Sequence, residues 1–353
     1  MNFKSNDELP KNIENMNFAP AVSVIIPTLN SASVLSGCLE SIRAQDYPAD
    51  RIEIIIADAG SKDGTLDIAR RFRVDKIVGN PLVSGEAGKS AGFAAAEGEI
   101  AAFIDSDNLL DRPDWLTRMT APFAGEEIVG SEPLWYTHRP GDPLVTRYCA
   151  LTGVNDPLVT FLGNYDRLNY LTGRWTGLDV ESEDRGDYLL VRLEPRAIPT
   201  LGANGFLVRS NALRNTHWQP YLADIDTVYD LVCQGYDRFA KVKVGIVHLY
   251  CPDVATFVRK QRRRIRDYTY YSSHGMRRYP WKRSPAAGLL RFVFCCLTVF
   301  PLLFQAVRGF RRKHDRAWFF HPVACWITLW VYALGTIQAL FIRKAMDRQD
   351  WKQ

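Results

Sequence analysis

A chain of 353 residues with 47% hydrophobic residues is long enough for one large domain or two smaller ones, and too apolar to be disordered throughout. The net charge of +5 is unevenly placed: Arg and Lys crowd the C-terminal third beside apolar runs, which points to an anionic membrane surface and away from nucleic acid. The seven cysteines are scattered with no C-x-x-C pair, the usage of a reduced compartment and not of a disulfide framework.

Residues 1–20 begin as a polar stretch with no apolar signal-peptide core and read as a mobile tail. Residues 21–26 are apolar and β-branched, a buried first strand. Pro27, Thr28, Leu29 and Asn30 end it. Val34, Leu35, Cys38, Leu39 and Ile42 then recur at helical spacing over residues 31–45, with Ser31 or Ser33 as the cap. A second strand, 53–57, runs into the polar turn 58–65, Asp-Ala-Gly-Ser-Lys-Asp-Gly-Thr, which opens a helix over 66–72. A short strand at 74–78 and a small-residue helix at 87–96 follow. The next strand, from Ile100, stops at Asp105, with Asp107 one residue later.

This alternation predicts an α/β fold with a doubly wound, Rossmann-like, mostly parallel sheet. Thr28, Asp58 and Asp105 then share the carboxyl edge of that sheet and face one crevice. A buried strand ending in paired carboxylates needs compensating charge, because desolvating like charges is costly. Hard oxygen ligands at such a place suit Mg²⁺ or Mn²⁺, ions that also grip substrate phosphates. Lys89, early in its helix, adds positive charge for the same phosphates.

Residues 114–196 are less regular. A helix is expected over 115–123, a mixed segment over 127–136 and an acidic exposed loop over 181–187. The aromatic residues here, among them Trp135, Tyr136, Tyr148 and Trp175, either pack a second layer or line an acceptor groove. Residues 201–209 form a Gly-Asn loop leading into a strand. Ile225, Val228, Leu231 and Val232 mark a helix within 221–235, with Asp224 at its start. Residues 241–247 are a further strand, ending at His248. The run 258–266 is densely basic and suits a helix on anionic lipid. Residues 286–307 and 317–342 are apolar and approach the ~20 residues that cross a bilayer. Five basic residues lie between them, which a simple two-span hairpin would put on the wrong side of the membrane. Pro301 and Arg291 make a re-entrant first segment the other possibility.

The stretches VSVIIPTLN, IIIADAGSKDGT and GKSAGFAAAEGEIAAFIDSDN resemble family 2 glycosyltransferases of the GT-A fold. The resemblance is dense over 22–108 and looser over 201–266. It implies an inverting, metal-dependent enzyme that uses a nucleotide-diphosphate sugar, UDP- or GDP-linked. Pro27, Thr28, Asn30, Asp58, Lys89, Asp105 and Ser106 map to the donor site. Asp105, Asp107 and His248 map to the metal, Mg²⁺ or Mn²⁺. Asp224 maps to the catalytic base, with Asp226 as the second acid. Gly202, Asn204, Asp226, Gln261 and Arg264 map to the acceptor and phosphate side.

Four positions depart from the family pattern. Ala59 replaces a second acid, Lys89 stands where the family often has Arg, Ala223 replaces the Glu before the base, and Ile265 replaces the Trp of Q-x-x-R-W. That last motif marks processive synthases, so its altered form favours transfer of a single sugar. The expected organisation is a tail at 1–20, a GT-A domain at 21–252, a basic juxtamembrane segment at 253–284 and two hydrophobic membrane helices at 285–345. The membrane segments imply membrane lipids and a lipid-linked acceptor as partners, with the catalytic domain on the cytoplasmic face of the cell inner membrane. A processive polysaccharide synthase and an inactive membrane scaffold of the same fold are the alternatives.

Overall fold

The computed structural model describes residues 18–273, 275, 277–280 and 286–341. The tail expected at 1–20 lies almost wholly outside the described residues, as do parts of the segments expected at 253–284 and 285–345.

Strands β1 (Val22–Thr28), β2 (Ile52–Asp58), β3 (Lys76–Gly79) and β4 (Ile100–Phe103) alternate with helices α1 (Ala32–Arg43), α2 (Thr65–Arg71) and α3 (Gly85–Ala94). Then come β5 (Asn108–Leu110), α4 (Trp115–Thr120), β6 (Gly130–Tyr136), α5 (Leu144–Thr152), α6 (Pro157–Leu162), β7 (Glu181–Asp184) and β8 (Tyr188–Arg192). β9 (Phe206–Arg209), α7 (Ser210–Arg214), α8 (Asp224–Cys233) and β10 (Arg238–His248) complete the sheet region. Helices α9 (Val254–Ser273), α10 (Ala286–Thr298), α11 (Phe300–Arg312) and α12 (His321–Phe341) end the described chain.

The strands form one sheet in the order β3-β2-β1-β4-β9-β6-β10-β8-β7, with β5 also paired to β10. The first four strands are parallel. β9 runs antiparallel between β4 and β6, while β10 is parallel to β6 and antiparallel to β8 and β5. The fold is therefore the expected α/β one, with a parallel first half and a mixed second half. Both faces are covered. Val24 and Ile26 of β1 pack into one core cluster with Leu35 and Leu39, while Ile25 packs into the other with Phe93 and Val228. Burial on both sides explains why these strands read as unbroken apolar runs. The small residues of α3 have a packing reason: a Cβ at Gly88 would lie 2.8 Å from Pro27 Cβ, and one at Gly92 would lie 2.4 Å from Ile25 Cγ2. Phe93, fully buried on the same helix, adds about 1.5–3 kcal/mol of apolar stabilisation.

Several details differ from the sequence expectation. Ser31 occupies the α1 N-cap, but its side chain makes no capping bond. The Ala32 and Ser31 amides donate instead to Asp63 Oδ2 and Thr65 Oγ1 of the β2–α2 turn, so that turn caps its neighbour helix. Residues 181–184 form an edge strand, not a loop; β7 escapes notice because all four side chains are exposed. The apolar run 286–307 is not one straight helix. It breaks at Val299, where φ is 62°, and α10 and α11 meet at 95°. Pro301 has no amide to continue the first helix.

The C-terminal helices lie on the sheet region and its surrounding helices. A Cβ at Gly288 of α10 would meet the Phe161 carbonyl oxygen at 2.7 Å. At the far end of α11, Arg312 Nη1 donates to the carbonyls of Tyr170 and Leu171. Asp315 then takes His138 at 2.7 Å and Arg147 at 3.2 Å. Both ends of the bent pair thus dock on the same body. α12 is the one described helix long and apolar enough to cross a membrane. Its inner face packs on α9: Tyr332 bonds Gln261, and Gly335 lies against Ile265.

Candidate active site

The site begins where β1 and β2 end side by side. Thr28 pairs with Asp58 in register, and Thr28 Oγ1 donates to Asp58 Oδ1 at 2.9 Å. Ser61 Oγ donates to the same oxygen, while the Gly60 and Ser61 amides donate to Asp58 Oδ2. Burial raises the Asp58 pKa, but these donors outweigh it and hold the carboxyl below its usual range. Asp58 therefore shapes its own turn with both oxygens. Gly60, at φ 88°, supplies the left-handed residue that this turn requires. Asn30, also left-handed at φ 51°, ties the two turns together: its amide donates to Ser61 Oγ and its Oδ1 accepts from the Lys62 amide.

The β4 end carries the acidic pair. The Asp105 amide donates to Asn108 Oδ1, and Ser106 Oγ meets Ser31 Oγ at 3.1 Å. Asp107 turns toward β10 and α9. Its Oδ1 lies 3.5 Å from His248 Nε2, and its Oδ2 lies 3.5 Å from Lys260 Nζ. Burial opposes the Asp107 charge, but His248 and Lys260 prevail and hold its carboxyl well below the usual range. β5 and β10 explain the meeting, since His248 pairs directly with Asn108.

Lys89 and Asp224 form the other pair. Lys89 is buried at 4% exposure, unlike an ordinary helix-surface lysine, and its Nζ donates to Asp224 Oδ1 at 2.5 Å. Burial works against the ammonium, but Asp224, Asp105 and Glu86 overcome it and keep Lys89 firmly charged. For Asp224, burial is the larger influence and pushes its pKa up to about 6 against the pull of Lys89. A third of the Asp224 side chain still faces the crevice. Asp105 influences the titration of both partners, so the acidic pair at the β4 end and the lysine–carboxylate pair share one electrostatic site.

The Gly-Asn loop closes one wall. Gly202 has φ 112°, and a Cβ there would lie 2.7 Å from the Asp224 carbonyl oxygen, so only glycine lets the loop approach α8. Asn204 Oδ1 accepts from Asn108 Nδ2, and Asn204 Nδ2 donates to Tyr136 Oη. Beneath it lies a fully buried charge cluster. Glu132 takes Lys241 at 2.7 Å, Arg167 at 2.5 Å and the Gly202 amide at 3.1 Å. Arg167 Nη2 donates to the carbonyls of Ala203 and Asn204.

Three sequence assignments point elsewhere in the fold. Asp226 is buried and accepts from the Arg278 and Tyr279 amides, with Arg277 at 3.0 Å, so it anchors the segment after α9. Gln261 and Arg264 both donate to the Asn155 carbonyl and bond one another, and Tyr332 donates to Gln261. These three side chains are engaged in holding elements together. Lys260 and Asn155, which touch Asp107 and His248, escaped the sequence reading. Lys260 was hidden in the basic run, and Asn155 in an irregular stretch; its only local signal is the Asp156-Pro157 helix start that follows.

Among the described residues no three His, Cys, Asp or Glu side chains converge into a metal shell of their own. Asp107 and His248 nevertheless fit a shared ion. Donors at about 2.1 Å on one edge of an octahedral ion lie about 3.0 Å apart. The observed 3.5 Å between their atoms is close to that. An ion with so few protein ligands completes its shell with water and substrate phosphate.

Residues 23–169 match the model of the family described as Glycosyl transferase family 2. Glycosyltransferase AglE of Haloferax volcanii is 31% identical over 142 residues, 38% of this chain and 46% of that protein. A PGL/p-HBAD biosynthesis glycosyltransferase of Mycobacterium bovis is 38% identical over 115 residues, 31% of this chain and 43% of that protein. The match thus spans less than half the length of these curated relatives. Among solved structures, the mannosyltransferase PcManGT from Pyrobaculum calidifontis, solved with GDP-Man and Mn²⁺, superposes with a TM-score of 0.53. That likeness covers 90% of this chain and 88% of the other at 16% identity, and shows a shared fold. The fold is GT-A, and the chain carries a glycosyltransferase family 2 domain at residues 23–169.

Proposed function

We propose that the protein moves a single sugar from a UDP- or GDP-linked donor to a lipid-linked acceptor, with inversion, at the cytosolic face of a membrane. The acceptor class is a polyprenyl phosphate or diphosphate, or a glycolipid. The observation that carries the reading is the grouping of Asp107 with His248 and of Lys89 with Asp224 in one electrostatic site at the carboxyl edge of the sheet.

Asp107, with His248 and Asp105, would hold Mg²⁺ or Mn²⁺, which would supply positive charge for the departing diphosphate. Lys89 offers a second, permanent charge to the same phosphates. The turns of Pro27, Thr28, Asn30 and Asp58 border the nucleobase side, and Ser106 lies beside them. Asp224, with a pKa of about 6, is ionised at neutral pH yet basic enough to accept a proton. The acceptor hydroxyl gives its proton to Asp224 as its oxygen bonds the anomeric carbon, and the carbon–oxygen bond to phosphate breaks with the electron pair leaving on the diphosphate. An acceptor that is already an ionised phosphate needs no proton removed, and Asp224 then orients it. The loop at Gly202 and Asn204 holds the main chain beside that carboxylate.

Membrane attachment is supported by the exposed apolar surface of the C-terminal helices. Leu290, Phe294 and Leu297 of α10 and Phe300 and Phe304 of α11 are each more than 60% exposed. Val323, Trp326, Trp330, Leu334 and Ile337 form an exposed stripe on α12 at helical spacing. Arg308, Arg311 and Arg312 lie in the last turns of α11 and Lys313 follows it, as an anionic surface favours. Because both ends of α10–α11 dock on the catalytic domain, the pair dips into one leaflet and returns, and the basic turn stays on the cytosolic side.

The test is a donor screen on detergent-solubilised protein with Mn²⁺ or Mg²⁺, UDP-, GDP- and dTDP-sugars, and membrane lipid extract. Nucleotide release with one donor, dependent on metal and lost in Asp107→Ala, supports the reading. Nucleotide release that survives metal chelation and Asp107→Ala refutes it.

A further inference from the structure

We propose that Asn155 is the positioning partner of His248: its side-chain carbonyl receives the imidazole Nδ1–H and leaves Nε2 as the lone-pair nitrogen presented to a divalent ion at Asp107. The inference rests on the metal reading above and concerns a residue that the sequence did not single out.

Asn155 is held from several directions. It lies between α5 and α6, just after Gly153, whose φ of 65° lets it approach the Leu168 carbonyl; a Cβ there would be 2.7 Å from that oxygen. Asp156 caps α6 by accepting from the Leu158 amide, and Pro157 fixes the first helical position. The Asn155 main-chain oxygen accepts from Gln261 Nε2 at 2.8 Å and Arg264 Nη1 at 3.1 Å. Tyr332 of α12 donates to Asp156 Oδ2 at 2.6 Å and to Gln261 Oε1 at 3.1 Å. The basic helix and the membrane-facing helix together clamp this one turn.

From that clamp the Asn155 amide reaches the far side of His248. Nδ2 lies 3.4 Å from His248 Nδ1, while Oδ1 is buried with no partner. In this orientation Nδ1 accepts, so the neutral ring carries its proton on Nε2, the atom facing Asp107. A nitrogen that carries a proton cannot bind a metal ion. Turning the amide end for end changes both ends of the ring. Oδ1 gains the donor it lacks, Nδ1–H becomes that donor, and Nε2 is freed as a ligand. Metal-binding imidazoles are generally oriented by such a bond from their other nitrogen. The ring has few alternatives, since Tyr136 and Tyr250 flank it with centroids at 5.4 and 5.3 Å.

The test is Mn²⁺ binding to the full chain in detergent, followed by the loss of the free-ion paramagnetic resonance signal, with UDP and GDP in separate titrations. Asn155→Ala should weaken Mn²⁺ binding by about 10–100-fold, the usual effect of losing such a partner. Asn155→Asp, which keeps an acceptor for Nδ1–H, should restore it. The metal-free melting temperature of each variant separates this from misfolding, because a purely structural role would affect Ala and Asp alike through stability. Parent-like Mn²⁺ affinity in Asn155→Ala, or equal weakening in Ala and Asp, overturns the proposal. If Asp107→Ala also binds Mn²⁺ like the parent, the metal reading itself fails, a result distinct from the failure of Asn155 alone.

Discussion

Lys89 and Asp224 make a prediction about pH that can be worked through. Asp224 accepts a proton only when ionised, and its pKa is about 6. With one controlling carboxylate, kcat/KM follows the ionised fraction of the free enzyme: about nine-tenths of its plateau at pH 7 and about a tenth at pH 5. Activity is thus lost as pH falls through 6. Lys89, at 2.5 Å, favours the ionised form, so removing its charge must raise the Asp224 pKa. Loss of one opposite charge at this range shifts a carboxyl by about 1–3 units. The crevice-facing third of Asp224 puts the change toward the lower end, because solvent screens the pair. In Lys89→Met, which keeps an unbranched apolar stem, the acidic limb should move up by about one unit or more. Overall activity will also fall if Lys89 serves the donor phosphates as proposed, but the midpoint of the limb is independent of that amplitude. The assay is kcat/KM for donor from pH 5 to 9 at fixed ionic strength. An unmoved or lowered midpoint in Lys89→Met would refute the pairing as the control on Asp224.

Two further outcomes follow. Glu132→Gln leaves Lys241 buried without a carboxylate partner and Arg167 with Asp166 alone, and should cost about 3–5 kcal/mol in urea unfolding, the usual effect of breaking a buried charge pair; a change below about 1 kcal/mol would show that the cluster does not depend on it. Charged substitution of the exposed tip, Phe300→Glu with Phe304→Glu, should abolish co-sedimentation with anionic phospholipid vesicles without altering the melting temperature of the catalytic domain, and retained sedimentation would remove those helices from the membrane contact.

The parallel half of the fold was legible because β1, β2 and β4 are buried on both faces and therefore read as apolar runs ending in polar turns. Asp105 and Asp107 stood out for a related reason: carboxylates at the end of a buried strand are poor core. Asp224 stood out by its place at a helix start and by the family resemblance. What escaped notice depends on contacts distant in sequence. Lys260 belongs to a basic run whose charge density suits a lipid-facing helix, yet its ammonium turns in to Asp107. Glu132, Arg167 and Lys241 carry side chains that ordinarily face water, and only the fold shows that Glu132 pairs with both cations at zero exposure, with Asp166 as the second carboxylate on Arg167. The bend at Val299 was half visible in Pro301, but the docking of Arg312 and Asp315 that returns the chain to the catalytic domain was not. Gln261 and Arg264 matched a motif, and the fold directs them to Asn155.

The most direct test of the central claim is transfer of radiolabelled sugar into an organic-extractable product. The protein would be given its donor and Mn²⁺, with and without polyprenyl phosphate or glycolipid in mixed micelles. The account predicts label in the organic phase as a single-sugar product, only with lipid present, and none with Asp224→Asn on a hydroxyl acceptor. Label that stays in water on a soluble acceptor, or that grows into a polymer, would contradict it.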